Sequence, residues 1–184
     1  MPAIFQLSGF LAVYVPYVYL PEMTNKKDID SESAAFIISL IGVSNTIGRV
    51  IIGAFVDLPW VSSLVVTNIS LIMSGVCLFI FPFCYDYTSF ILVALMLGLF
   101  VSAFISLTSI VLVDLLGLDS LTSSFGMLVL CRGIASILGP PLAGLVFDWS
   151  QDYSASFYMA GAFFVFGGLL SFIAYFMDRR KKTT

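Results

Sequence analysis

A single arginine inside a membrane-length apolar run is the feature that everything else in this chain must accommodate. From Ala34 to Val56 the sequence stays predominantly apolar; about 23 residues make about 34 Å of helix, enough to cross a bilayer. Arg49 lies inside that run. A charge at such depth costs at least about 2.5–3.5 kcal/mol and marks a functional site by default. Asn45, Arg49, Gly53 and Asp57 recur every four residues, along one slowly drifting face of a helix. That face must look into protein or water, because lipid would leave the guanidinium unsolvated.

The rest of the sequence repeats the pattern of long apolar runs. Hydrophobic residues make up 60% and charged residues 10% of the 184, and the mean hydropathy is +1.07, which excludes an ordinary soluble domain. Six spans are expected: Ala3–Leu20, Ala34–Val56, Ser62–Phe83, Ser89–Val113, Leu121–Phe147 and Ala155–Met177. The chain is therefore read as an all-α membrane protein, one bundle of six transmembrane helices over 1–184. Pro16 predicts a kink in the first span, with Tyr14, Tyr17 and Tyr19 near an interface. The fifth span is interrupted by Gly139-Pro140-Pro141, a simple bend or a helix that flexes during gating.

The placement of charge narrows function. Lys26 and Lys27 fall in a polar loop, four basic residues form the tail, and only Arg49 and Arg132 lie inside apolar runs. All eleven acids fall in loops or at span ends, so neither arginine has an acid at membrane depth. The basic tail, set against Lys26 and Lys27 in the opposite loops, places both termini in the cytoplasm by the positive-inside bias. On that topology Cys84 faces the outside and reacts with an impermeant maleimide, while Cys77 and Cys131 are protected in their helices. Asn68-Ile69-Ser70 reads as a glycosylation acceptor, but inside a span it is inaccessible.

Several classes of function fall away. There is no histidine and no nucleophile–base pair, so an enzyme is disfavoured and no cofactor or metal is expected. Three scattered cysteines give no disulfide framework. The net charge of −3, spread over loops, implies no nucleic-acid partner. A cationic fork that cannot deprotonate suits an anionic substrate, so Arg49, Asn45 and Arg132 are candidate substrate-binding residues. Arg49 bracing a gate against Asp57, and Arg132 as a purely structural group, are the competing readings. Gly53, Asp57, Gly139, Pro140 and Pro141 are candidate gating positions. Small residues every four positions, Gly98/Ser102/Ser106 and Ala135/Gly139/Ala143, predict close helix approach.

Specific motifs then carry a resemblance. Val111-Leu112-Val113-Asp114-Leu115-Leu116-Gly117-Leu118-Asp119, Phe125-Gly126, Gly139-Pro140-Pro141-Leu142-Ala143-Gly144 and Ser156-Phe157-Tyr158-Met159-Ala160-Gly161 together resemble the C-terminal half of a monocarboxylate transporter (solute carrier family 16). Gly48-Arg49, Gly53 and Asp57 resemble the degenerate loop motif of the wider major facilitator superfamily. The resemblance implies that these spans are the second six of a twelve-span carrier with alternating access between two halves. It implies a small monocarboxylate or related organic anion as substrate at the plasma membrane. It also implies a missing N-terminal six-span half and, in some members, an immunoglobulin-like single-span chaperone. Proton-coupled members carry an Asp four residues before the Arg; here that place is held by Asn45. Rival readings are a truncated chain that binds partner membrane proteins without transporting, and a facilitative carrier of a neutral or zwitterionic solute.

Overall fold

A computed structural model describes the backbone at 9–27, 29–56, 62–116 and 121–182, and the side chains of these residues except at 56, 109, 111–116, 121–124 and 173–182. The described residues form helices and short turns. After a helical turn at 9–13, the helices are α1 (Val15–Asn25), α2 (Ser31–Val56), α3 (Ser63–Ile80), α4 (Tyr87–Leu116), α5 (Leu121–Ser150) and α6 (Tyr153–Lys182), with a 3-10 turn at Phe81–Phe83. Five stretches are long and apolar enough to cross a membrane: Ser31–Phe55, Ser63–Phe83, Tyr87–Thr108, Phe125–Ser150 and Tyr153–Phe172. The expected first span begins outside the described residues. Its visible part is interrupted at Tyr14, two residues ahead of Pro16, which has no N–H to bond the Ala12 carbonyl one turn back.

Three seams hold the bundle together. α2 lies along α4, and α3 packs against both α4 and α6; α1 fills the space between α2, α5 and α6, while α5 makes looser contacts. With no hydrophobic effect between helices in lipid, close backbone approach does the work. At Gly98 a Cβ would stand 2.5 Å from the Ile41 carbonyl oxygen of α2, so only glycine admits α2 this near. Ser44 Oγ donates to the Leu95 carbonyl across the same seam at 2.6 Å. The centre of the bundle is aromatic: Phe104 of α4 meets Phe10 at 5.0 Å and Phe164 of α6 at 6.3 Å, and Phe81 meets Phe157 at 5.6 Å.

At one end, two adjacent lysines tie the turns to one another. Lys27 Nζ donates to the carbonyls of Pro82 at 2.6 Å and Cys84 at 2.5 Å, beneath the rings of Tyr85 and Phe90. Lys26 Nζ lies 4.5 Å from the Tyr153 ring centroid and 5.2 Å from that of Phe147. The expected exposure of Cys84 is corrected here. Its side chain is buried, with Sγ against the Ile80 carbonyl, because the 3-10 turn folds the residue back onto its own helix end. Burial pushes the thiol above the usual range, with the Lys27 ammonium opposing in part. Cys131, expected to be protected, is the most accessible of the three.

Candidate functional site: the arginine face of the second helix

Advancing about 100° per residue, α2 presents three distinct faces. Ile37, Ile41, Ser44, Asn45, Gly48 and Ile52 form the buried one, against α4. Phe36, Val43, Ile47 and Val50 form an exposed apolar one, of the composition that lipid accepts. The third carries Ala35, Ser39, Gly42, Thr46, Arg49 and Gly53, small or polar and mostly exposed. Nothing lies within 4 Å of where a Cβ would stand at Gly42 or Gly53. Ser39 Oγ and Thr46 Oγ1 return their hydrogen bonds to the Ala35 and Gly42 carbonyls of their own helix. Among the described residues from Ala35 to Gly53, Arg49 is thus the one ionised group on a face that is neither packed nor greasy.

Asn45 sits where the packed face meets the polar face, and it serves both. It is 8% exposed. Its Nδ2 donates to the Gly98 carbonyl at 3.4 Å, and its Oδ1 accepts from Arg49 Nε at 3.0 Å. The amide therefore relays position from the α2–α4 seam to the guanidinium. With Nε engaged, the two Nη groups remain as the fork that matches a carboxylate.

Tyr17 of α1 is half-buried and close enough to feel the charge of Arg49, with Tyr14 beside it. Side chains lean toward the N-terminus of their helix. As α1 and α2 are consecutive and antiparallel, Arg49 and Tyr17 lean toward one another. The expectation placed these tyrosines at an interface.

The remaining candidates are dispersed. Arg132 lies with its guanidinium carbon 5.0 Å from the Phe10 ring centroid, in a cation–π contact on the seam between α5 and the 9–13 turn, separate from the Asn45–Arg49 pair. Gly139 is also on that seam; a Cβ there would stand 2.6 Å from the Leu11 carbonyl oxygen. At Gly139-Pro140-Pro141, where a bend was expected, α5 continues as helix through both prolines. Neighbouring chain supports it there, and Tyr19 Oη donates to the Pro140 carbonyl at 2.9 Å. Asp57 lies outside the described residues.

Among the described residues no group of His, Cys, Asp and Glu is placed to hold a metal ion.

The family model described as Major Facilitator Superfamily matches residues 3–184. The chain is similar to monocarboxylate transporter 14 of Mus musculus, 33% identical over 175 residues that cover 93% of this chain and 33% of that protein. It is similar to monocarboxylate transporter 9 of Gallus gallus, 30% identical over 172 residues, with 93% and 33% covered. It is also similar to monocarboxylate transporter 10 of Homo sapiens, 30% identical over 171 residues, with 92% and 33% covered. These relatives are transporters by name, not enzymes. The chain spans about a third of the length of the curated relatives it matches.

Proposed function

Because the chain belongs to the Major Facilitator Superfamily, we propose that it forms the C-terminal half of a secondary carrier for a small organic anion of the monocarboxylate class. The observation that carries the reading is Arg49: a fixed cation on the open polar face of α2, held by a neutral amide. Between Ala35 and Val56 α2 carries no acid, so along that stretch of the face nothing is suited to an ammonium group. This favours an anion over a zwitterion.

In this reading the open faces of α2 and α5 meet an N-terminal six-span half across a central cleft, and alternating access rocks one half against the other around Arg49. Tyr17 supplies a hydroxyl at the same site. Arg132 supports the 9–13 turn rather than touching the substrate. The carrier resides in the plasma membrane with both termini cytoplasmic. Since Asn45 cannot take up a proton in the working pH range, this half contributes no proton step at that position.

The test is uptake of labelled monocarboxylates by the intact protein in proteoliposomes. Arg49→Gln should cut uptake at sub-saturating substrate by at least tenfold. Arg49→Lys should fall well short of full rescue, because an ammonium lacks the planar fork. Near-normal affinity in Arg49→Gln would move Arg49 to a structural role and remove the basis of the proposal.

A further inference from the structure

The seam between α3 and α6 contains a polar site that has no part in the reading of Arg49. The two helices approach backbone to backbone: a Cβ at Gly75 would stand 2.9 Å from the Gly161 carbonyl oxygen, and one at Gly161 would stand 3.0 Å from that of Gly75. Seven residues along each helix, a Cβ at Gly168 would lie 3.5 Å from the Asn68 carbonyl oxygen. The order of these contacts makes the helices antiparallel. Ser171 follows Gly168 by three residues, one turn onward along the seam.

Asn68 and Ser171 are each 1% exposed. Asn68 Nδ2, Asn68 Oδ1 and Ser171 Oγ have no hydrogen-bond partner among the described residues. Side chains lean toward their helix N-terminus, so on antiparallel helices Asn68 leans toward the level of Ser171 and Ser171 leans back. Both leans bring the three orphaned atoms toward one level of the α3–α6 seam.

We propose that Asn68 and Ser171 bind one ordered water molecule within the α3–α6 seam. The donor set selects the ligand. A carboxamide offers both a donor and an acceptor and a hydroxyl offers either, which suits the roughly three hydrogen bonds of a buried water. A metal or alkali cation would need compensating charge in so dry a place, and neither residue carries any. A water bridge also joins the two helices without fixing their register, whereas a direct bond from Asn68 to Ser171 would fix it.

The experiment is X-ray hydroxyl-radical footprinting of the intact protein in nanodiscs, read by mass spectrometry, with thermal unfolding beside it. Radicals born from a bound water should oxidise Leu71 or Ile72, both of which line Gly168, although they lie at membrane depth. Ser171→Ala should reduce that oxidation severalfold. Asn68→Leu and Ser171→Ala should each lower the unfolding midpoint, and the double variant should lower it by less than the two shifts added. Absence of oxidation in the unmutated protein overturns the proposal, as does a rise in midpoint in both single variants. Coupled midpoints without oxidation show a direct bond between the two side chains, and also overturn it. If Asn68→Leu does not fold, the unmutated footprint and Ser171→Ala decide alone.

Discussion

Gly98→Ala links the packing of α2 on α4 to the behaviour of Arg49. The added methyl would stand 2.5 Å from the Ile41 carbonyl oxygen and 2.9 Å from Ser44 Cβ. Carbon and oxygen rest at about 3.3–3.6 Å, so α2 must retreat by roughly 1 Å. Overpacking of this kind costs about 1–3 kcal/mol. The same retreat carries the Asn45–Gly98 bond, already 3.4 Å, out of hydrogen-bonding range, and strains Ser44–Leu95 at 2.6 Å. Interhelical hydrogen bonds in membranes average about 0.6 kcal/mol, which brings the total to about 2–4 kcal/mol. Arg49 then hangs from an amide that has lost its own anchor. Forfeiting about 1 kcal/mol of positioning weakens anion affinity roughly fivefold. The assay is thermal unfolding of the intact protein with and without substrate. Gly75→Ala serves as control, because it creates a like clash, 2.7 Å to Val165 Cγ2 and 2.9 Å to the Gly161 carbonyl, on a seam remote from Arg49. Both variants should lower the midpoint, and only Gly98→Ala should lower affinity. An unchanged midpoint in Gly98→Ala, or equal affinity losses in the two, refutes the reasoning.

Asn45→Asp should steepen the dependence of uptake on an imposed pH gradient, since burial raises the pKa of an acid there and Arg49 lowers it, leaving it able to titrate; strong acid-driven accumulation by the unmutated carrier would contradict this. Tyr19→Phe deletes the bond to the Pro140 carbonyl and should cost about 1 kcal/mol in unfolding free energy; an unaltered midpoint would show that water replaces the phenol. Cys84 should resist maleimide at pH 7, because it is buried and its thiol pKa is raised, which leaves less of the reactive thiolate. Its labelling should climb with alkaline pH or with unfolding, and rapid labelling of the folded protein at pH 7 would refute the burial.

The helical architecture was legible because apolar runs of membrane length have one satisfactory conformation in lipid. Arg49 was legible because a charge at depth is expensive wherever it points. What stayed hidden depends on pairing between distant segments. Asn45 looked like a substrate ligand from its place beside Arg49, but its second bond runs to Gly98, a partner 53 positions away that no local pattern announces. The small-residue spacing did predict close approach at Gly98 and Gly139, without saying which backbone would approach. Cys84 was misjudged because a short aromatic turn reads as exposed, and only the fold of Phe81–Phe83 turns the thiol inward. Pro140 and Pro141 suggested a break, yet α5 continues through them, with Tyr19 reaching across to the Pro140 carbonyl.

The two lysines that tie the turns together also set the electrical character of that end of the protein. Glu22, Asp30, Glu32, Asp86, Asp148 and Asp152 are all exposed there, while the ammonium groups of Lys26 and Lys27 are engaged with rings and carbonyls. On the proposed reading, an anion approaching Arg49 from this side first crosses a repulsive field that decays over about 8 Å at physiological ionic strength. Added salt should therefore quicken capture from that side, opposite to the usual effect of salt on steered association. If Arg49 receives the anion as proposed, capture from this side is sensitive to the ionic medium.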